Sequence, residues 1–170
     1  ISIIAMARPG TPRRGFGNLV SALDLIKSEF PSTSIVLFGE NLSSESIGFE
    51  YEGVGVVSSP DKMAELYSMA TVFIDASDFQ GFGRTALEAM ACNTACILTN
   101  VGGLSEYARD QENCLLVPPG DPQSICDAFR LLVSDISLSN RIRSQGMEVA
   151  KHFSHKIEAR NTLDYLESIT

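Results

Sequence analysis

The stretch ISIIAMARPGTPRRGFGNLVSALDLIKSEFPSTSIVLF, Ile1 to Phe38, decides the fold. Ile1–Ala7 is a short, nearly continuous apolar run, the pattern of a strand buried on both faces. Phe16, Leu19, Val20, Leu23, Ile26 and Phe30 then recur at helical spacing and stop before Pro31. Ser34–Phe38 is a second β-branched run, closed by Gly39. Strand, helix and strand in that order begin an α/β sheet.

The alternation continues outward. A short strand is expected around Gly53–Val57, and Ser59 with Pro60 opens a helix whose apolar stripe is Met63, Leu66, Met69 and Ala70. Thr71–Asp75 predicts a fourth strand, Gly83–Cys92 a helix, Ala95–Thr99 a fifth strand and Cys114–Val117 a sixth. Pro118-Pro119-Gly120 is a turn, and Asp121-Pro122 starts a helix carrying Ile125, Ala128, Phe129, Leu132 and Val133. Leu138 to Phe153 and Ile157 to Ile169 predict two more helices. These elements predict a Rossmann-like, doubly wound parallel sheet of about six strands in one domain over residues 1–170. Ligands of such sheets bind at the carboxyl ends of the strands, where strand order reverses. The loops to inspect are therefore Arg8–Gly15, Gly39–Asn41, Ala76–Gly83 and Asn100–Gly103.

Composition narrows the function. The 170 residues are 44% hydrophobic and 20% charged, a globular balance. A net charge of −8 argues against a nucleic-acid surface. No apolar run is long enough to span a membrane, and no basic-then-apolar leader is visible. Cys92, Cys96, Cys114 and Cys126 form no CxxC pair and have apolar neighbours, which predicts buried free thiols and a reducing, cytoplasmic compartment. The chain begins at Ile1 inside a strand-like run, so it is expected to be a fragment of a longer protein.

Two loops carry chemistry. Arg8, Arg13 and Arg14 lie within seven residues, between a strand and a helix, and guanidinium forks suit phosphate oxygens. A solvated basic turn is the alternative reading. Gln80-Gly81-Phe82-Gly83-Arg84-Thr85 precedes the helix containing Glu88. Its glycines let a ligand approach the backbone, and a helix N-terminus favours an anion. A tight strand–helix turn explains the same glycines. Glu88, on an otherwise apolar helix, either faces solvent or meets a hydroxyl donor such as a sugar diol. Neither a dinucleotide fingerprint after strand one nor a Walker A loop is present.

Gln80 to Ala91, QGFGRTALEAMA, resembles the "EGFGxxxLEAMA" signature of retaining GT-B glycosyltransferases, group 1, family 4. Asn100–Glu106 resembles the family's "DVGGxxE", Asn113–Pro122 its "TGLLVPPGDP", and Ala64–Tyr67 also fits. The likeness runs in order from about Ile3 to about Val133. It implies the C-terminal, donor-binding half of a GT-B fold, with an N-terminal acceptor domain outside this chain.

By this resemblance Arg8 and Arg14 meet the donor diphosphate and Glu88 holds the ribose hydroxyls, making these three the catalytic set. The step from Arg8 to Arg14 is one residue longer than usual, so Arg13 shares or replaces the role of Arg14. Backbone amides around Phe82, Gly83 and Arg84 meet the distal phosphate, with Gly81 and Thr85 beside them. Gly39 and Val56–Ser58 flank ribose and base. The departure is Gln80, which stands where the family has a glutamate that meets hydroxyls of the transferred sugar. Changed sugar specificity, a slower enzyme and an inactive relative all follow from that one change, the first being favoured.

The resemblance implies retaining transfer from a nucleotide-diphosphate sugar to a glycan or lipid-linked acceptor, in surface polysaccharide or glycoconjugate synthesis. It implies a hexosyl- or deoxyhexosyltransferase that needs no metal or other cofactor. It leaves room for peripheral association of the full-length protein with the inner membrane surface. The isolated fragment is expected to bind nucleotide without turnover. Asp75 and Asp78 read as a strand-end turn rather than a metal motif, and His152 and His155 as structural or exposed. The rivals are a degenerate nucleotide-binding or scaffold domain of the same fold and, less favoured, a sugar-phosphate isomerase or epimerase.

Overall fold

A computed structural model describes residues 1–42, 47–153 and 163–165. Its six strands are β1 (Ser2–Ala7), β2 (Ser34–Gly39), β3 (Glu52–Gly55), β4 (Val72–Asp75), β5 (Ala95–Thr99) and β6 (Leu115–Val117). All pairings are parallel, in the order β3-β2-β1-β4-β5-β6. The helices are α1 (Phe16–Glu29), α2 (Pro60–Met69), α3 (Arg84–Ala91), α4 (Pro122–Ser134) and α5 (Ile136–His152). The fold is the expected α/β, Rossmann-like sheet.

Alternate strand residues supply the two cores. Ile3, Ala5, Ile35, Leu37, Ile74 and Ile97 face α1 and α4, where Leu23, Ile26 and Phe129 are fully buried. Ile4, Phe38, Phe73, Cys96 and Leu98 face α2 and α3, against Tyr67, Ala86 and Met90. Burial on both sides explains why the strands read as near-continuous apolar runs.

Helix starts follow side-chain caps. Ser59 Oγ accepts from the Lys62 amide (3.3 Å) at α2, and Asp121 Oδ1 from the Ser124 amide (3.0 Å) at α4, each with Pro in the first turn. α5 starts earlier than Leu138 because Asp135 caps it, Oδ1 accepting from the Leu138 amide at 2.9 Å. Two 3-10 turns, Pro12–Arg14 and Gly102–Glu106, occupy loops that sequence periodicity left blank. Most of the expected helix Ile157–Ile169 lies outside the described residues, as does His155. His152 is exposed on α5, its Nδ1 3.0 Å from the Glu148 carbonyl.

The four cysteines are free, and Cys96, Cys114 and Cys126 are buried. Cys92 departs from the expectation: it ends α3 at the rim of a pocket and is partly exposed. No helix among the described residues is long and apolar enough to cross a membrane.

Candidate functional site

β1 continues outward to β2 and β3, and β4 to β5 and β6, so strand order reverses between β1 and β4. The two loops richest in candidate residues, those after β1 and β4, meet at this switch point. They are stitched by backbone: the Asp78 and Phe79 amides both donate to the Arg13 carbonyl, at 3.0 and 3.2 Å. The loop after β5 joins through Thr99 Oγ1, which donates to the Ser77 carbonyl at 2.5 Å, and the Gly103 amide, which donates to the Gln80 carbonyl at 3.3 Å. Tyr107 Oη donates to the Gly83 carbonyl at 2.8 Å.

This contact depends on missing side chains. A Cβ on Gly15, whose φ is +61°, would lie 1.9 Å from the Ala76 carbonyl oxygen, and one on Gly103 1.8 Å from that of Gly81. Neither distance is sterically tolerable, so only glycine lets the three loops close.

The arginine loop is partly fixed and partly open. Its outer turn is tied to the residue after β2, the Gly10 amide donating to Glu40 Oε2 at 3.1 Å. Arg8 and Arg13 are exposed, and their side chains make no hydrogen bond or ion pair among the described residues. Arg14 is half-buried, and its Nη1 donates to Gln80 Oε1 at 2.8 Å.

α3 starts at Gly83, whose φ of +75° turns the chain without a side-chain cap. The amides of Gly81, Phe82, Gly83, Arg84 and Thr85 donate to no carbonyl or side chain among the described residues. Free amides together with the positive end of the helix dipole suit an anion. The Phe82 ring packs inward, 5.5 Å from Tyr107 and 5.6 Å from Phe153, leaving its backbone for this role.

One turn along α3, the Glu88 carboxylate is exposed, with Arg84 Nη2 3.9 Å away. At that separation and exposure the pair contributes little. Glu88 lines a pocket of about 390 Å³ with Val57, Ser58, Met63, Tyr67 and Cys92. The pocket joins an apolar wall to a carboxylate and a serine at its edge, the mixture that seats a planar ring with an attached diol. It unites Glu88 with the Val57–Ser58 segment, whereas Val56 is 79% exposed and Gly39 closes β2 outside the lining.

Tyr67 and Asp75 escaped the sequence reading as site residues. Tyr67 is 1% exposed, edge-on to Phe38 and Phe73, and its hydroxyl has no hydrogen-bond partner among the described residues. Burial, then the charge of Glu88, pushes its phenol above the ordinary range. Asp75 turns the strand end as expected, Oδ1 accepting from the Ser77 amide at 3.0 Å, but Oδ2 accepts from Gln80 Nε2. A lone acid closing the apolar run Val72–Asp75 was the signal available. Asp78 instead accepts from Asn18 Nδ2 at 3.2 Å. A larger open groove, about 1220 Å³, lies at the opposite edge of the sheet among Lys27, Thr33, Glu50 and Lys62.

The sequence profile of the family described as glycosyl transferases group 1 matches residues 1–135. The chain belongs to this family. It is 35% identical over 106 residues to the D-inositol 3-phosphate glycosyltransferase of Nocardioides sp., covering 62% of this chain and 23% of that protein. It is 30% identical over 168 residues to sucrose-phosphate synthase 4 of Arabidopsis thaliana, covering 92% of this chain and 16% of that one. The crystal structure of Anabaena Alr3699/HepE in complex with UDP-glucose superposes with a TM-score of 0.83 at 20% identity, over 98% of this chain and 48% of its own. That likeness speaks for the fold, which this group 1 chain shares with GT-B glycosyltransferases. The chain spans less than a quarter of the length of either relative and about half of that structure.

Proposed function

We propose that this chain is the donor-binding domain of a retaining, family 4 glycosyltransferase and takes a nucleotide-diphosphate sugar. One observation carries the reading: an arginine loop, a set of unpaired helix-start amides and a carboxylate-edged pocket stand together at the carboxyl edge of the sheet. The pocket receives the nucleoside, with Glu88 accepting hydrogen bonds from the ribose hydroxyls. The diphosphate lies over the start of α3, near Arg8, Arg13 and Arg14. As the sugar leaves, charge develops on the β-phosphate, and preset amides and guanidinium groups stabilise it without reorganising. No metal enters this account, because the chain's own cations and amides meet that charge. The UDP-glucose complex of the Anabaena protein supports the choice of donor class.

The acceptor, a glycan or lipid-linked chain, is then held by a domain outside residues 1–170, at the cytoplasmic face of a membrane. Calorimetric titration of the chain with UDP, GDP and dTDP tests the proposal. Saturable binding of at least one is expected, weakened about tenfold or more by Glu88→Ala and by Arg8→Ala, since a charged hydrogen bond is worth about 1.5–3 kcal/mol. Unchanged affinity in both variants removes the site assignment.

A further inference from the structure

The Gln80 amide is 4% exposed and its hydrogen-bonding groups are already engaged. Oε1 accepts from Arg14 Nη1, and Nε2 donates to both Asp75 Oδ2 and Ser77 Oγ (3.2 Å). The amide's orientation follows from chemistry: a guanidinium only donates and an ionised carboxylate only accepts. Gln80 therefore bridges the two, giving a chain from Asp75 at the end of β4 to Arg14 on the loop after β1. With both donors used, nothing remains on Nε2 to give a ligand.

We propose that Gln80 is a positioning residue, which fixes the Arg14 guanidinium at the switch point and is itself anchored on the Asp75 carboxylate. This rests on the donor-site reading for what Arg14 then meets, a phosphate. Arg14 is preset, whereas Arg8 and Arg13 remain free to close over the ligand. A preset cation lowers the ordering cost of binding. The position is selective for an amide. An ionised glutamate accepts from Arg14 equally well, but it sets a second acceptor against Asp75, so the two carboxylates must share a proton.

The charged groups facing position 80 are Asp75 from β4 and Arg14 from the loop after β1, with Asp78 exposed two residues away. Cys96 from β5, Tyr67 from α2 and Tyr107 from the loop after β5 lie within electrostatic reach of Asp75. Burial pushes all three upward, so they stay neutral. Asp75 and Arg14 balance. Gln80→Glu adds one negative charge, and Asp75→Asn combined with Gln80→Glu restores the balance with donor and acceptor exchanged.

The test compares the unaltered chain, Q80E and the double variant D75N/Q80E from pH 5 to 8, by thermal melting without nucleotide and by UDP titration. Q80E is expected to melt about 3 °C lower at pH 8, with the gap closing toward pH 5, the size of a roughly 1 kcal/mol effect in a chain of this length. UDP affinity should fall about tenfold at pH 8, recover on acidification, and return to within about twofold of the unaltered chain in D75N/Q80E. If Q80E does not fold at pH 8, the double variant should. A Q80E that melts and binds as the unaltered chain does at every pH, or a double variant that rescues neither, overturns the proposal. If the unaltered chain binds GDP or dTDP rather than UDP, the titration uses that nucleotide; if it binds none of the three, the donor-site reading fails, while the melting arm still decides the Asp75–Gln80 link.

Discussion

Gly15 and Gly17 stand two residues apart at the start of α1, yet alanine should act on them in opposite directions. At Gly15 the φ of +61° sets an L residue in the left-handed region, at about 1–2 kcal/mol. The added Cβ also falls 1.9 Å from the Ala76 carbonyl oxygen and 2.8 Å from its carbon. Backbone cannot rotate away as a side chain can, so the loops after β1 and β4 must separate by about 1 Å or more, an overpacking cost of about 1–3 kcal/mol. The sum, about 2–5 kcal/mol, is a large part of a total stability of about 5–15 kcal/mol. At Gly17 nothing lies within 4 Å of the built Cβ and the backbone is helical. Alanine there should stabilise by about 0.5–1 kcal/mol through the helix and the unfolded chain. Urea unfolding of both variants, with m held equal, reads the difference. A Gly15→Ala variant within about 0.5 kcal/mol of the unaltered chain would refute the account of how the loops close.

Three further outcomes follow from other parts of the molecule. Glu29, at the end of α1, accepts two 2.6 Å hydrogen bonds from Arg130 on α4, and these bonds hold its carboxyl below the usual range. Its stabilisation is therefore complete above its unfolded pKa of about 4.3 and lost as pH falls through the lower folded value. Glu29→Gln should melt with a shallower acid dependence below about pH 4, and an equal slope argues against the pairing. Tyr67→Phe removes a buried hydroxyl without a partner among the described residues, so stability should hold or rise by up to about 1 kcal/mol. A loss of that size in chemical denaturation would mean that the hydroxyl is satisfied. Cys92, partly exposed at the pocket rim, should react with iodoacetamide well before the three buried thiols, and UDP should slow it. Loss of the fast phase in Cys92→Ser assigns it, and an unprotected Cys92 under saturating UDP contradicts a nucleoside in that pocket.

The sheet was legible because its strands are buried on both faces, which makes each one a short apolar run such as Ile1–Ala7 or Ala95–Thr99. The caps at Ser59 and Asp121 were legible because the following prolines mark the first turn. No proline follows Asp135, so the apolar stripe beginning three residues later at Leu138 drew the boundary there. The 3-10 turns at Pro12–Arg14 and Gly102–Glu106 have no periodicity to read. The site divides in the same way. Glu88, the Gly81–Gly83 turn and the arginine loop carry local signals, whereas Tyr67 belongs to the site only through contacts across the fold and Asp75 through its link to Gln80 and Arg14. Gln80 shows the limit most clearly, since the family resemblance sets its position beside the transferred sugar, and no local pattern announces the bonds of its amide with Arg14, Asp75 and Ser77.

Titration of the ¹⁵N-labelled chain with UDP, followed by amide chemical shifts, bears most directly on the claim that the carboxyl edge of the sheet is a donor site. Saturable shifts are expected at Phe82–Thr85 at the start of α3, at Val57 and Ser58, and in the arginine loop near Arg13 and Arg14. Shifts confined to the opposite edge, around Lys27, Thr33 and Lys62, or none with any of UDP, GDP and dTDP up to millimolar concentration, would contradict it.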